Sequence, residues 1–152
     1  PSLFSSGLAS QVSEKLMLEF NFNRIQWSAF EELPFIFPET PENDKEINQS
    51  YTNTSQYRFG AEYQAKDELA LRAGFVLDET PQPDTVMGPI LPDSDRKGFS
   101  IGLGYEMGNA TIDFYNLFLF LEDREIRDNQ DGFNGDYSSF TNLFGFGLTY
   151  RF

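Results

Sequence analysis

From Thr141 to Phe152 the sequence reads TNLFGFGLTYRF, with Phe144, Phe146, Leu148, Tyr150 and Phe152 at every second position. Gly145, Gly147, Thr149 and Arg151 stand between them. A β-strand turns successive side chains to opposite faces, so one face here is aromatic and apolar and the other is tiny or polar. A half-buried strand of a soluble β protein produces the same alternation. Strands of outer-membrane barrels produce it too, with an apolar face toward lipid and aromatic residues at the interfaces.

Other stretches repeat the pattern. Seven strands are expected: Leu3–Ser10, Lys15–Phe30, Tyr51–Ala65, Leu69–Leu77, Lys97–Tyr105, Ala110–Leu121 and the final stretch. In the second, Leu16, Leu18, Phe20 and Phe22 share a face, but Ile25, Trp27 and Ala29 fall on the other phase. A β-bulge near Asn23 and Arg24 would return them to one side. Phe59, Phe75, Ile101 and Phe146 are expected to face lipid with Phe20. Short connections alternate with long ones (Glu31–Ser50, Asp78–Asp95 and Glu122–Ser138). That is the pattern of short periplasmic turns and longer external loops. The long loops hold six, five and six of the 24 acidic residues, so most of the negative charge is expected on solvated external surface.

The fold class is therefore all-β, an antiparallel transmembrane β-barrel in the bacterial outer membrane. Seven strands cannot close on themselves, because the first and last would run parallel, and single-chain bacterial barrels have even counts. Residues 1–152 are expected to be the C-terminal part of one barrel domain. The remaining strands would lie in the same polypeptide or in a separate chain. The aromatic alternation ending at Phe152 resembles the C-terminal signal read by barrel-assembly machinery, which makes that machinery an expected partner through Phe144, Phe146, Leu148, Tyr150 and Phe152.

Composition narrows the chemistry. The chain has no Cys and no His, which removes Ser-His and Cys-His catalysis and zinc sites with those ligands. A net charge of -13 argues against nucleic acid as a partner, since phosphates attract basic surfaces. No run approaches the length of a transmembrane helix, which leaves barrel strands untouched. No enzyme activity, cofactor or metal is expected. The loop from Asp128 to Asp136 is rich in Asp and Asn, but its spacing does not match the alternating ligands of a calcium loop. Gly132 and Gly135 mark turns there more simply.

The order of several segments resembles the C-terminal half of the FadL/TodX family of outer-membrane transporters of hydrophobic compounds. Arg72, Gly74, Phe75, Asp78, Pro81 and Pro83 lie in RAGFVLDETPQP. LPDSDR follows, from Leu91 to Arg96, and then a glycine-alternating strand, Asp113 and the aromatic final strand. Trp27–Leu33 fits the corresponding strand end. The resemblance implies a 14-stranded barrel, of which seven strands are half, and an N-terminal plug outside this chain. It also implies uptake of long-chain fatty acids or aromatic hydrocarbons. A structural or interaction barrel, such as a secretion scaffold or surface receptor, is the alternative on the same fold.

Candidate ligand residues follow from departures in the alternation. Tyr115, Leu117, Leu119 and Leu121 put apolar groups on the inward face of their strand, where a water-filled pore would be polar. Phe30, Phe35 and Phe37 form an apolar cluster in the first long loop. Lys45, the loop's only cation, is placed to meet a carboxylate head group. On the inward face Glu62 is expected opposite Arg72 as a charge pair. That register assumes a three-residue turn, Lys66 to Glu68, with Ala65 paired to Leu69 and Arg58 extending the network.

Overall fold

The computed structural model describes residues 1–89 and 92–152. Leu91, at the head of the LPDSDR segment, lies outside them. Seven strands form one antiparallel sheet: β1 (Leu3–Ser13), β2 (Leu16–Ile25), β5 (Thr54–Lys66), β6 (Leu69–Asp78), β7 (Arg96–Met107), β8 (Ala110–Leu121) and β11 (Phe140–Tyr150). Their spatial order is their chain order, so every connection joins neighbours. Two small hairpins stand in the long loops: β3 (Glu32–Phe35) with β4 (Lys45–Asn48), and β9 (Arg124–Ile126) with β10 (Gly135–Tyr137).

The pairing register sorts the side chains by face. Phe20 lies opposite Phe59, Phe59 opposite Phe75, Phe75 opposite Phe99 and Phe99 opposite Phe118. This aromatic row runs across five strands, and the Phe20 and Phe59 ring centroids are 5.0 Å apart. Tyr63, Tyr105 and Tyr150 stand on the same face near the short-turn ends. Aromatics at that level belong to the interfacial girdle of a membrane barrel. Phe59, Phe75, Ile101 and Phe146 are all exposed, as the expected lipid-facing surface requires.

The opposite face is concave and carries small or polar residues. Three rows cross it. Arg58, Val76, Gly98 and Leu119 form one. Gly60, Gly74, Ser100 and Leu117 form the next. Glu62, Arg72, Gly102, Tyr115 and Gly145 form the third. A sheet open at both edges has no closed interior, so few apolar residues are buried. Among the described residues only Ala70, Met87 and Ile126 are, and the last two sit in the long loops.

Two local expectations are corrected. The second strand ends at Ile25, not Phe30, and no bulge occurs at Asn23 or Arg24, which pair without a break with Gln56 and Ser55. Trp27–Ala29 is a single 3₁₀ turn. The phase change arises because the inner surface itself turns apolar near the long-loop end, so Ile25 points inward with the odd-numbered side chains. The hairpin between β5 and β6 closes with two residues, Asp67 and Glu68, not three. Lys66 pairs with Leu69, and a register shift between Gln64 and Lys66 absorbs Ala65. Beyond that bulge the expected register holds, and Glu62 faces Arg72.

The outer edges of β1 and β11 have no strand partner in this sheet, and the two strands run in the same direction.

Candidate functional site

The inner wall holds a groove of about 450 Å³ lined by Arg58, Val76, Gly98, Tyr115, Leu117 and Leu119, among others. Val76 on β6 and Leu117 and Leu119 on β8 converge over Gly98 on the intervening β7. A Cβ at Gly98 would lie 2.5 Å from Val76 Cγ1, 3.1 Å from Leu119 Cδ1 and 3.3 Å from Leu117 Cδ1. Absence of a side chain there lets three branched residues meet as one apolar patch. Arg58, in the same row, places a guanidinium at the edge of that patch.

A second concavity of about 570 Å³ continues toward the long loops and shares Gln56, Asp78, Arg96 and Leu119 with the first. Leu121 lines it with Trp27 and Tyr51. Arg96 stands at the junction, 3.4 Å from Asp78 and 3.5 Å from Asp93. Tyr51 is an aromatic hub: Phe30 meets it edge-on at 5.3 Å and Trp27 at 6.1 Å. Burial, and then the Asp93 charge, push the Tyr51 phenol above its usual pKa of 10.0, against a smaller opposing effect of the Gln82 hydrogen bond. Burial and the Asp93 charge both favour the neutral phenol at the centre of the hub.

Below the groove a charged bar lies flat on the wall. Arg72 Nε donates to Glu62 Oε2 at 2.7 Å and Arg72 Nη1 donates to Asp113 Oδ1 at 2.7 Å. The second bond crosses β7 completely. Gly104 permits the crossing, since a Cβ there would sit 2.9 Å from Asp113 Oδ1 and 3.0 Å from Arg72 Nη1. Among the described residues the network thus extends sideways to Asp113 and not along β5 to Arg58.

The expected ligand residues divide into three places. Tyr115, Leu117 and Leu119 share the groove. Leu121 and the Phe30 hub belong to the concavity above it. Phe35, Phe37 and Lys45 sit apart on the β3–β4 hairpin, where Phe35 pairs with Lys45 and the Phe37 N–H donates to Asp44 Oδ1 at 2.7 Å. Ile36, beside them, is 70% exposed, so the hairpin carries an open apolar tip. Arg58, Val76 and the Trp27–Tyr51 pair complete the surface. Arg58, expected beside Glu62 on the inward face, lines the groove instead, and Val76 is visible in sequence only once the rows across the sheet are known.

The long loops interlock above this surface. Arg124 Nε donates to Asp84 at 3.0 Å and its Nη1 to the Asp93 carbonyl at 2.6 Å. Asn129 Nδ2 donates to the carbonyls of Met87 at 2.6 Å and Asp84 at 3.2 Å, while its Oδ1 accepts from the Asp131 and Phe133 N–H groups. The polar loop from Asp128 to Asp136 thus uses its central amide to join two loops around buried Met87 and Ile126.

A sequence model described as outer membrane protein transport protein (OMPP1/FadL/TodX) matches residues 1–152. Outer membrane protein P1 of Haemophilus influenzae is 29% identical over 155 residues, covering 93% of this chain and 33% of the relative. The 47 kDa outer membrane protein of Pasteurella multocida is 26% identical, covering 93% of this chain and 32% of that protein. The chain therefore spans about a third of the length of these relatives. In structure it is similar to a Pseudomonas aeruginosa FadL homologue, with a TM-score of 0.86 and 26% identity over 97% of this chain and 35% of that one. The Ralstonia pickettii toluene transporter TbuX shares the fold, with a TM-score of 0.66 and 19% identity over 99% of this chain and 33% of that one.

Proposed function

Because the chain belongs to the OMPP1/FadL/TodX family of outer membrane transport proteins, we propose that the complete protein carries hydrophobic small molecules passively across the bacterial outer membrane, with long-chain fatty acids or aromatic hydrocarbons as cargo. The supporting observation is the apolar patch of Val76, Leu117 and Leu119 over Gly98. A wet pore lines its interior with polar groups, whereas small-molecule sites are mostly apolar with a few placed polar groups. Arg58 and Tyr115 are those polar groups here.

The route follows the wall. The apolar tip of the β3–β4 hairpin takes ligand from the medium, and Lys45 meets a carboxylate where the ligand has one. The ligand passes the Trp27–Tyr51–Phe30 hub and Leu121, and then lies in the groove beside Tyr115, Leu117 and Leu119. The Glu62–Arg72–Asp113 bar limits the apolar surface below. The other strands and a plug come from the remainder of the protein, in the same polypeptide or a partner chain. Phe144, Phe146, Leu148, Tyr150 and Phe152 present the alternating aromatic face to barrel-assembly machinery.

Uptake of labelled oleate and toluene into cells that depend on the complete protein tests this reading. Uptake above that of cells lacking it is expected. No uptake of either by well-assembled protein would favour the structural or receptor barrel.

A further inference from the structure

The outward faces of β8 and β11 are almost wholly aromatic and apolar, yet each carries one asparagine. Asn116 Nδ2 donates to Asn142 Oδ1 at 3.2 Å and to the Leu143 carbonyl at 3.0 Å. Asn142 Nδ2 donates to Asn116 Oδ1 at 3.1 Å and to the Leu117 carbonyl at 3.3 Å. All four amide hydrogens are matched within the pair and its two strands. A lipid-facing polar group without a partner is costly, so these residues are tolerated because they satisfy one another.

The register between β8 and β11 needs such a device. Phe114, Phe118 and Phe120 face outward on one strand, and Phe140, Phe144, Phe146 and Leu148 on the other. Sliding β11 by two residues keeps every apolar side chain on the lipid face, so hydrophobic alternation does not exclude the slip. The loop between the strands is long, and its contacts to the preceding long loop are made around Arg124 and Asn129, well before β11 begins. We propose that the Asn116–Asn142 amide pair outside and the seating of Tyr115 on Gly145 inside together lock the register of β11.

The two halves of the lock exclude opposite slips. In one direction Asn142 moves opposite Phe120 and Asn116 opposite Phe146, which carries the amides out of reach. In the other direction the asparagines come face to face, but Leu143 replaces Gly145 opposite Tyr115. A side chain cannot occupy that place with Tyr115 as it lies, because a Cβ at Gly145 falls 2.1 Å from Tyr115 Cε1 and 2.4 Å from its Cζ. Strand stagger sets the dimensions of a closed barrel, so the lock fixes wall geometry at the C-terminal hairpin whatever the barrel carries.

These residues include no cysteine, so engineered cysteine pairs report the register directly, in outer-membrane vesicles holding the complete protein freed of any cysteine elsewhere. With a short thiol cross-linker, Phe114→Cys with Phe146→Cys reads the native register. Phe114→Cys with Leu148→Cys reads the first slip, and Phe114→Cys with Phe144→Cys reads the second. Only the native pair is expected to cross-link when both asparagines and Gly145 are present. In N116L/N142L the pair that reads the first slip also cross-links. In G145V the pair that reads the second slip does so, because the native register no longer has the smaller residue opposite Tyr115. Should the Leu pair fail to assemble, N116T/N142T, which cannot form the reciprocal amide bonds, is read in the same way. Native cross-links alone in these variants would overturn the lock.

Discussion

Arg72 on β6 and Asp113 on β8 are joined by a 2.7 Å ion pair although a whole strand lies between them. The Arg72 side chain passes over Gly102 with its aliphatic stem and over Gly104 with its guanidinium. Arg72 is thus one cation held by two carboxylates, Glu62 and Asp113. All three side chains are more than a third exposed, so water screens the pairs.

Gly104→Val fills the lane that Arg72 crosses. The loss in thermal stability, read as the temperature at which the folded barrel changes mobility in detergent gels, is expected to be modest, since exposed pairs are worth about 1 kcal/mol or less. The coupling is the sharper readout. In an Arg72→Ala background Gly104→Val should cost distinctly less, and full additivity would mean that the crossing contributes nothing.

Leu117→Asp with Leu119→Asp places two carboxylates in the apolar patch beside Gly98. Both side chains face the lumen, so the lipid face is unchanged and assembly should be normal. Uptake should fall sharply for neutral and anionic ligands alike. Unchanged uptake by a well-assembled double variant would argue against passage along this wall.

Phe152 is fully exposed, and its ring stands 6.3 Å from that of Tyr150. It lines none of the groove. Phe152→Ala is therefore expected to lower the yield of membrane-assembled barrel while leaving ligand affinity of the assembled fraction intact. The reverse pattern would assign Phe152 to the ligand path.

Asn129→Ala removes both amide donations to the preceding long loop, at Asp84 and Met87, together with the turn that Oδ1 holds within its own loop. Stranding buried backbone groups costs about 1–3 kcal/mol, and the effect should stay local. Limited proteolysis is expected to cut within residues 79–89 or 122–139 faster than in the parent protein, with the seven-stranded sheet intact. Equal cutting rates would show that Met87 and Ile126 hold the loops without the amide.

Much of this is legible in the sequence. Alternation marks the seven strands of the sheet, and where one side is small or polar it leaves only one choice of outward face; β1 is weakly patterned, and β8 is apolar on both sides toward its end. The expected pairing of Glu62 with Arg72 rests on a three-residue turn; the structure reaches the same register with a two-residue turn and a bulge at Ala65. Asp113 escapes because its contact depends on register across two ladders, though the inward Gly102 and Gly104 are a sign that a long side chain could cross β7. The odd phase at Ile25 and Trp27 reads as a bulge only if the inner wall is polar to its rim, and it is not. Loop packing through Asn129, Met87 and Ile126 has no periodicity and leaves no pattern to read.

Met87 and Ile126, at 1% and 0% exposure, make the portion of the chain projecting beyond the bilayer its most tightly packed region. Residues 84–87 and 124–137 therefore take their shape only together. Peptides copied from either loop alone would lack that shape, and sequence drift in one loop would alter how the other is displayed.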